Sequence, residues 1–344
     1  MTTYESLSQE QQRTHLQQLA SNALQAWQLE AKLLELIKYR ENAVYRVLTD
    51  DNRQFALRIH RPGYHTDAAL RSELQWMFAL AKDGIEVPEI IPTPDGQLFV
   101  KASAEGDPQP RQVDLFAWVE GQELGSVENG LGNDPQAIHQ IYHTIGQKAA
   151  QLHNHACRWS LPTDFQRHAW DLEGLVGEQP FWGRFWALEA LTDQQRELIN
   201  DARETIRAEL EAYDQTADNY SLIHADFVPE NLLVDGEHVR LLDFDDAGFG
   251  WHLFELATAL YFIQDEPHYE VAKAALIAGY REFRPLPDSE LQYLPLFLAA
   301  RAFTYLGWVQ SRWETETAKA LTPMLVQLAC ETAERYLMHS RSAD

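Results

Sequence analysis

The sequence predicts an α+β chain in two lobes: a small one built on an antiparallel sheet with one main helix, and a larger, mainly helical one. Three observations carry this. Between Leu33 and Ile59, short apolar runs alternate with turn residues, as in consecutive hairpin strands. Beyond Pro135, long stretches carry apolar residues at helical spacing. Set among those helices is one segment, Ser221 to Gly250, that reads as a polar loop followed by two short strands.

Taken in order, residues 5–30 form an amphipathic opening helix with Leu16, Leu19, Ala23 and Leu24 on one face. Three strands follow: Leu33 to Tyr39, Ala43 to Leu48, and Gln54 to Ile59. Asp67 to Lys82 is a helix whose stripe of Leu70, Leu74, Met77, Phe78 and Ala81 should be core. A strand around Leu98 to Lys101 and another from Gln112 to Val119 complete the small lobe, residues 1–118. Glu120-Gly121-Gln122-Glu123 is a Gly-containing acidic turn, so residues 119–124 are expected as the hinge and 125–344 as the large lobe. There, helices are expected over Pro135 to Cys157, Asp193 to Tyr213, Trp251 to Ile263, Tyr269 to Phe283, Pro287 to Trp313 and Ala318 to Met338. His153 and His155, two apart on a helix, point in different directions and read as structural rather than as a metal pair.

Composition sets limits on function. The 28 basic against 52 acidic side chains give a formal charge of −24, which repels polyanions and argues against nucleic acid as a partner. The same balance would suit a cationic small molecule, although it also simply confers solubility. No run of eighteen apolar residues exists and the N-terminus is polar, so neither membrane nor secretion is expected and the chain should be cytoplasmic. Cys157 and Cys330 lack metal-ligand spacing and are expected as reduced thiols. Whether the chain is a monomer or a homodimer stays open.

The chemistry concentrates in Ser221–Gly250. After Leu222-Ile223 come His224-Ala225-Asp226, then Asn231, then the apolar run Leu232-Leu233-Val234. Asp235-Gly236 is a hairpin signal. The return run Val239-Arg240-Leu241-Leu242 ends on Asp243, which carries Asn231 back toward Asp243, with Asp226 at the same end. Two hard oxygen ligands beside a carboxylate free of metal are what phosphoryl transfer needs. On this reading Asn231 and Asp243 hold Mg²⁺ against the phosphates of ATP, and Asp226 takes or orients the proton of an acceptor hydroxyl. His224 is expected to brace the loop.

This stretch resembles the aminoglycoside phosphotransferase and choline kinase-like family, whose loop reads His-x-Asp-x4-Asn ahead of an apolar-Asp-Phe/Trp step. Here those positions are His224, Asp226, Asn231, Asp243 and Phe244. Within it, LRIHRPG and LLDFDDAGFGWHLFELA are most similar to the homoserine-kinase-like and bacterial stress-response kinase branch. The resemblance implies a protein-kinase-like bilobal fold, with the nucleotide in the first lobe and the acceptor in the second. It puts Arg58 where kinases place a phosphate-binding lysine, Glu73 where they pair an acid with that cation, and Asn42 in the turn over the phosphates. The adenine is implied near Phe116 and Trp118, a loop brace at Glu255, and an acceptor border among the aromatics Trp159 to Trp186. Asp245 either touches a second Mg²⁺ or hydrates the loop.

The first turn, Tyr39-Arg40-Glu41-Asn42-Ala43, lacks the glycines usual in kinases, and arginine replaces lysine at residue 58. Ala225 replaces the arginine of His-Arg-Asp, and Trp251 enters a helix too soon after Asp243 for a long activation segment. The leading expectation is an ATP- and Mg-dependent phosphotransferase acting on a hydroxyl of a small, amine-bearing acceptor. A serine/threonine kinase of the stress-response type and a nucleotide-binding pseudokinase scaffold are the alternatives.

Overall fold

In the computed structural model the described residues are 8–39, 42–105, 109–126, 130, 132–236, 238–313 and 315–343. They divide into two compact units: Met1–Gly121 with Leu161–Gln166 and Asp235–Leu241, and Gln122–Ser160 with Arg167–Val234 and Leu242–Asp344.

The first unit opens with α1 (Gln9–Leu24), started by a capping box in which Ser8 and Gln11 satisfy each other's backbone N–H. It runs into a 3₁₀ turn ended by Gln28 in the left-handed region, φ 55°. Five antiparallel strands follow as one sheet: β1 (Ala31–Tyr39), β2 (Ala43–Thr49), β3 (Gln54–Ile59), β4 (Phe99–Ala102) and β5 (Arg111–Ala117), in the order β1-β2-β3-β5-β4. Strand side chains alternate between faces. Tyr45, Val47, Phe55, Leu57, Ile59, Val113 and Leu115 share one core with Leu16, Leu19, Ala23 and Trp27 of α1 and its turn. Their strand neighbours Arg58 and Asp114, paired across β3 and β5, therefore point to the opposite face.

That face receives α2 (Asp67–Lys82), capped by the Thr66 hydroxyl. The buried face of α2 is not the stripe read from the sequence. Leu70, Leu74 and Met77 are buried together with Trp76 and Leu80, whereas Phe78 is 41% exposed and Ala81 also faces solvent. Ser72 and Glu73 take places on the buried face because each has a polar partner there: Gln166 N–H for Ser72 and Arg58 for Glu73. The helix is thus turned by its polar partners, which a count of apolar residues misses.

The second unit contains β6 (Gln122–Glu123), α3 (Pro135–Arg158), β7 (Ala169–Trp170), α4 (Leu172–Val176), α5 (Asp193–Ala212), β8 (Tyr220–Ile223) and β9 (Leu232–Asp235, its last residue counted with the first unit). β10 (His238–Leu241) belongs to the first unit, where Leu241 N–H donates to the Glu86 carbonyl at 3.0 Å. The second unit then continues with β11 (Gly248–Trp251), α6 (His252–Leu260), α7 (Tyr269–Phe283), α8 (Asp288–Leu291), α9 (Leu294–Gln310) and α10 (Glu316–Ala343). β7, β11 and β8 make a small sheet, and β6 pairs with β9.

Helices α3 and α7 pack so closely that two positions admit no side chain. A Cβ at Gly146 would sit 2.1 Å from the Leu276 carbonyl oxygen, and one at Gly279 would sit 2.0 Å from that of His143. The aromatic stretch Trp159 to Trp186 contributes β7, the short α4 and the start of a 3₁₀ turn. Both cysteines are free thiols. Among the described residues no helix is long and apolar enough to cross a membrane.

Candidate active site

In the first unit the candidate phosphate cation is locked in place. Arg58 donates through Nε and Nη2 to the two carboxylate oxygens of Asp114, at 3.1 and 2.7 Å, and through Nη2 to Glu73 Oε1 at 2.7 Å. His60 Nε2 lies 2.9 Å from Asp114 Oδ2. The Phe116 ring lies 5.2 Å from the Arg58 guanidinium carbon. Burial alone would raise the Asp114 pKa, but the Arg58 guanidinium and His60 hold its carboxyl down at about 2. Glu73 and Arg58 were brought together by sequence reasoning; Asp114 was not. It is legible only once β5 is paired with β3, because nothing in QVDLFAWV marks the one acid as buried.

The other first-unit candidates have definite partners. Asn42 Oδ1 accepts from Arg61 N–H at 3.0 Å, while Arg40 and Glu41 of the same turn lie outside the described residues. Ala117 N–H donates to the Glu89 carbonyl at 2.8 Å and Trp118 N–H to the Gln54 carbonyl at 3.2 Å. Those two backbone donors are thus engaged within the first unit. Phe116 and Trp118 still offer ring surface, the Arg46 guanidinium lies 5.1 Å from the Trp118 ring centre, and the Trp118 indole Nε1 is buried without a hydrogen-bond partner.

In the second unit the loop after β8 is held at almost every polar atom. Ala225 adopts φ 62° and Asp243 φ 58°, a left-handed backbone that a side chain adopts only under surrounding constraint. At Ala225 the constraint comes from Glu255, fully buried on α6: its two oxygens accept from His224 N–H and Ala225 N–H, each at 2.7 Å. Burial raises the Glu255 carboxyl above its ordinary range against the pull of His224 and these two amides. His224 uses both ring nitrogens. Nε2 donates to the Leu242 carbonyl at 2.7 Å and Nδ1 accepts from Asp226 N–H at 3.3 Å, so the ring orients the loop from both sides.

Asn231 sits at the end of a 3₁₀ turn, 4% exposed. Its amide nitrogen donates to Asp226 twice, to the main-chain carbonyl at 2.9 Å and to Oδ2 at 2.8 Å. Its main-chain carbonyl accepts from Leu242 N–H at 2.7 Å, which sets Asp243 next in the chain. Both Asn231 donors being turned to Asp226, the amide oxygen is directed away from it. Asp243 is exposed, whereas Phe244 and Asp245 are buried. Amide and carboxylate oxygens form a hard donor set that suits Mg²⁺.

Two further features went unread in the sequence. The carbonyls of residues 244 to 247 are all held by one short segment, residues 167–170: Arg167 donates to those of Phe244, Asp245 and Ala247, and His168 and Trp170 converge on that of Asp246. The second is Arg301 of α9, wholly buried, with Nη2 3.5 Å from Asp226 Oδ1. Its signal was present in LPLFLAARAFTYLGW, a single cation in an otherwise apolar helix.

An antiparallel-sheet unit carrying a carboxylate-locked cation, and a helical unit carrying an Asp-x4-Asn loop beside an apolar-Asp-Phe step, define a phosphotransferase of the kinase class. Comparison with known proteins supplies the particular family. The model of the Phosphotransferase enzyme family (APH) matches residues 32–286, and the chain belongs to that family. It is 32% identical over 305 residues to a protein of uncharacterised function from Deinococcus radiodurans, covering 86% of this chain and 82% of that one. It is 22% identical over 313 residues to amicoumacin kinase from Bacillus subtilis, covering 88% of this chain and 87% of the relative. Among solved structures, a microcompartment-associated aminopropanol kinase superposes with TM-score 0.81 at 33% identity, covering 93% of this chain and 97% of that one. The aminoglycoside phosphotransferase and choline kinase-like resemblance read from the loop therefore holds, as does the α+β kinase-like fold.

Proposed function

We propose that the protein is an ATP- and Mg²⁺-dependent kinase that transfers the γ-phosphoryl group to a hydroxyl of a small, amine-bearing acceptor. The observation that carries this reading is the Asp226–Asn231–Leu242 hydrogen-bond chain, which gathers a carboxylate, an amide oxygen and the start of Asp243 at one loop. On this reading Asn231 and Asp243 are the metal ligands, and Asp245, just beyond them, is a support residue. Bound there, the divalent ion would neutralise charge on the donor phosphates. Asp226 accepts the hydroxyl proton as the acceptor oxygen attacks, held in aim by Asn231. Glu255 and His224 keep the loop in its left-handed turn.

The first unit supplies Arg58 as the phosphate cation, oriented by Glu73 and Asp114, with Asn42 and the rings of Phe116 and Trp118 as further nucleotide contacts. An amine-bearing acceptor is favoured by the net charge of −24 and by the likeness to an aminopropanol kinase. Two free thiols agree with a reducing, cytoplasmic setting. The test is ATP consumption by the purified protein across amino alcohols, hydroxy amino acids and aminoglycosides, with and without Mg²⁺. Turnover confined to hydroxylated amines and dependent on Mg²⁺ supports the reading. Nucleotide-induced stabilisation without turnover on any of them contradicts it.

A further inference from the structure

Arg301 is the anomalous charge of the second unit. It is 0% exposed, on a helix whose neighbours Leu298, Ala299, Ala300, Ala302 and Phe303 are all buried. Its guanidinium carbon lies 4.4 Å from the Tyr305 ring centre, 5.1 Å from that of Trp182 and 5.5 Å from that of Phe254. Nε and Nη1 are buried without a hydrogen-bond partner. Only Nη2 has partners: the Tyr305 hydroxyl at 2.9 Å and Asp226 Oδ1 at 3.5 Å.

A desolvated cation is costly unless it is paired, and an apolar side chain of similar volume usually serves packing better. Two other buried arginines, Arg58 and Arg203, are held at several points by carboxylates and carbonyls. Arg58 meets two carboxylates, and Arg203 meets two main-chain carbonyls and Glu178. Arg301 instead rests its faces on aromatic rings and directs one nitrogen at one carboxylate. That carboxylate is the residue to which the reaction assigns the proton.

We propose that Arg301 is a positioning residue for Asp226: a fixed cation, caged by Trp182, Phe254 and Tyr305, that holds Oδ1 while Asn231 holds Oδ2, so that the carboxylate keeps one aim toward the acceptor hydroxyl. The inference rests on the reading of Asp226 as the base. Trp182, within the aromatic stretch that the resemblance implies as an acceptor border, gives its ring to this internal cation. Burial would depress the Arg301 guanidinium, but Tyr305, Asp226 and Asp246 more than offset it, so the charge is kept.

The test is a double-mutant cycle in kcat and in KM for ATP: wild type, Arg301→Met, Asp226→Asn and the double variant, with Arg301→Lys in parallel. Methionine keeps the apolar volume and removes the charge. The expected result is an Arg301→Met kcat lowered about 10²-fold, the scale of a small misplacement of a catalytic group, with KM for ATP within about twofold. In the Asp226→Asn background the same change should have no further effect, because Arg301 acts only through that carboxylate. Arg301→Lys, retaining the charge, should lie between Arg301→Met and wild type; should the methionine variant not fold, the cycle is run with lysine.

Wild-type kcat in Arg301→Met overturns the inference, as does an undiminished loss in the Asp226→Asn background, which would mark a merely structural role. If Asp226→Asn alone retained full turnover, the base assignment itself would fall, an outcome distinct from failure of the Arg301 inference.

Discussion

Replacing Asp114 with asparagine keeps the volume of the side chain and removes one charge from a buried group of four. Arg58 would lose the ionic character of two contacts, at 3.1 and 2.7 Å, and His60 of one at 2.9 Å, while Glu73 would still hold Nη2 at 2.7 Å. The magnitude follows from linkage. A carboxyl held at about 2 instead of 3.8 contributes about 2 kcal/mol of stability, undiscounted for solvent because Asp114 is 0% exposed. Breaking a buried pair outright would cost about 3–5 kcal/mol, but Arg58 keeps Glu73, so the lower figure governs.

The assay is urea unfolding of both proteins at pH 7, read as a lowered midpoint at constant slope. The sign of the pH dependence is fixed by the depressed folded-state value. The wild-type advantage is complete above about pH 4, where the unfolded carboxyl is also ionised, and fades as pH falls toward about 2. A difference under about 0.5 kcal/mol at pH 7, within the range of an ordinary surface substitution, would refute the reasoning. So would an advantage that grew on acidification. A charge-free set, Arg58→Met with Asp114→Leu and Glu73→Met, should recover much of the stability and still lose nucleotide affinity, since Arg58→Met without Glu73→Met would leave the buried Glu73 carboxylate without its cation; retained affinity would remove Arg58 from the phosphate site.

Two other outcomes follow from the loop. Glu255→Gln turns one of two accepting oxygens into a donor facing a main-chain N–H, and should cost about 1–3 kcal/mol in unfolding free energy along with a loss of kcat; unchanged stability would show that the loop does not need this brace. Asp243→Asn should abolish the stabilisation that Mg²⁺ adds to bound nucleotide in a thermal-shift titration, and an unaltered Mg²⁺ response would remove Asp243 from the metal site.

Local patterns were legible in the sequence to the extent that they were consecutive. Tyr269–Phe283 forms the helix expected over those residues, and the three early strands lie where alternation placed them. The loop was readable because its chemistry is written in one stretch, His224 to Asp243. What escaped was set by pairing and packing. Asp114 becomes the counter-ion of Arg58 only through the register of β3 and β5, and Ser72 with Glu73 turns the buried face of α2 away from Phe78. Arg167, His168 and Trp170 reach the 244–247 carbonyls across a gap in sequence of more than seventy residues. Arg301 meets Asp226 across seventy-five. No periodicity carries such a distance; only a lone charge in an apolar helix hints at it.

The central claim is that Asp226 receives the acceptor's proton while other groups bind the nucleotide. Steady-state turnover of Asp226→Ala on an accepted substrate, with nucleotide binding followed by thermal shift on the same preparation, tests it most directly. The account predicts turnover lowered by about 10²- to 10⁴-fold, the range of a lost general base, with binding preserved. Turnover at the wild-type rate would contradict it.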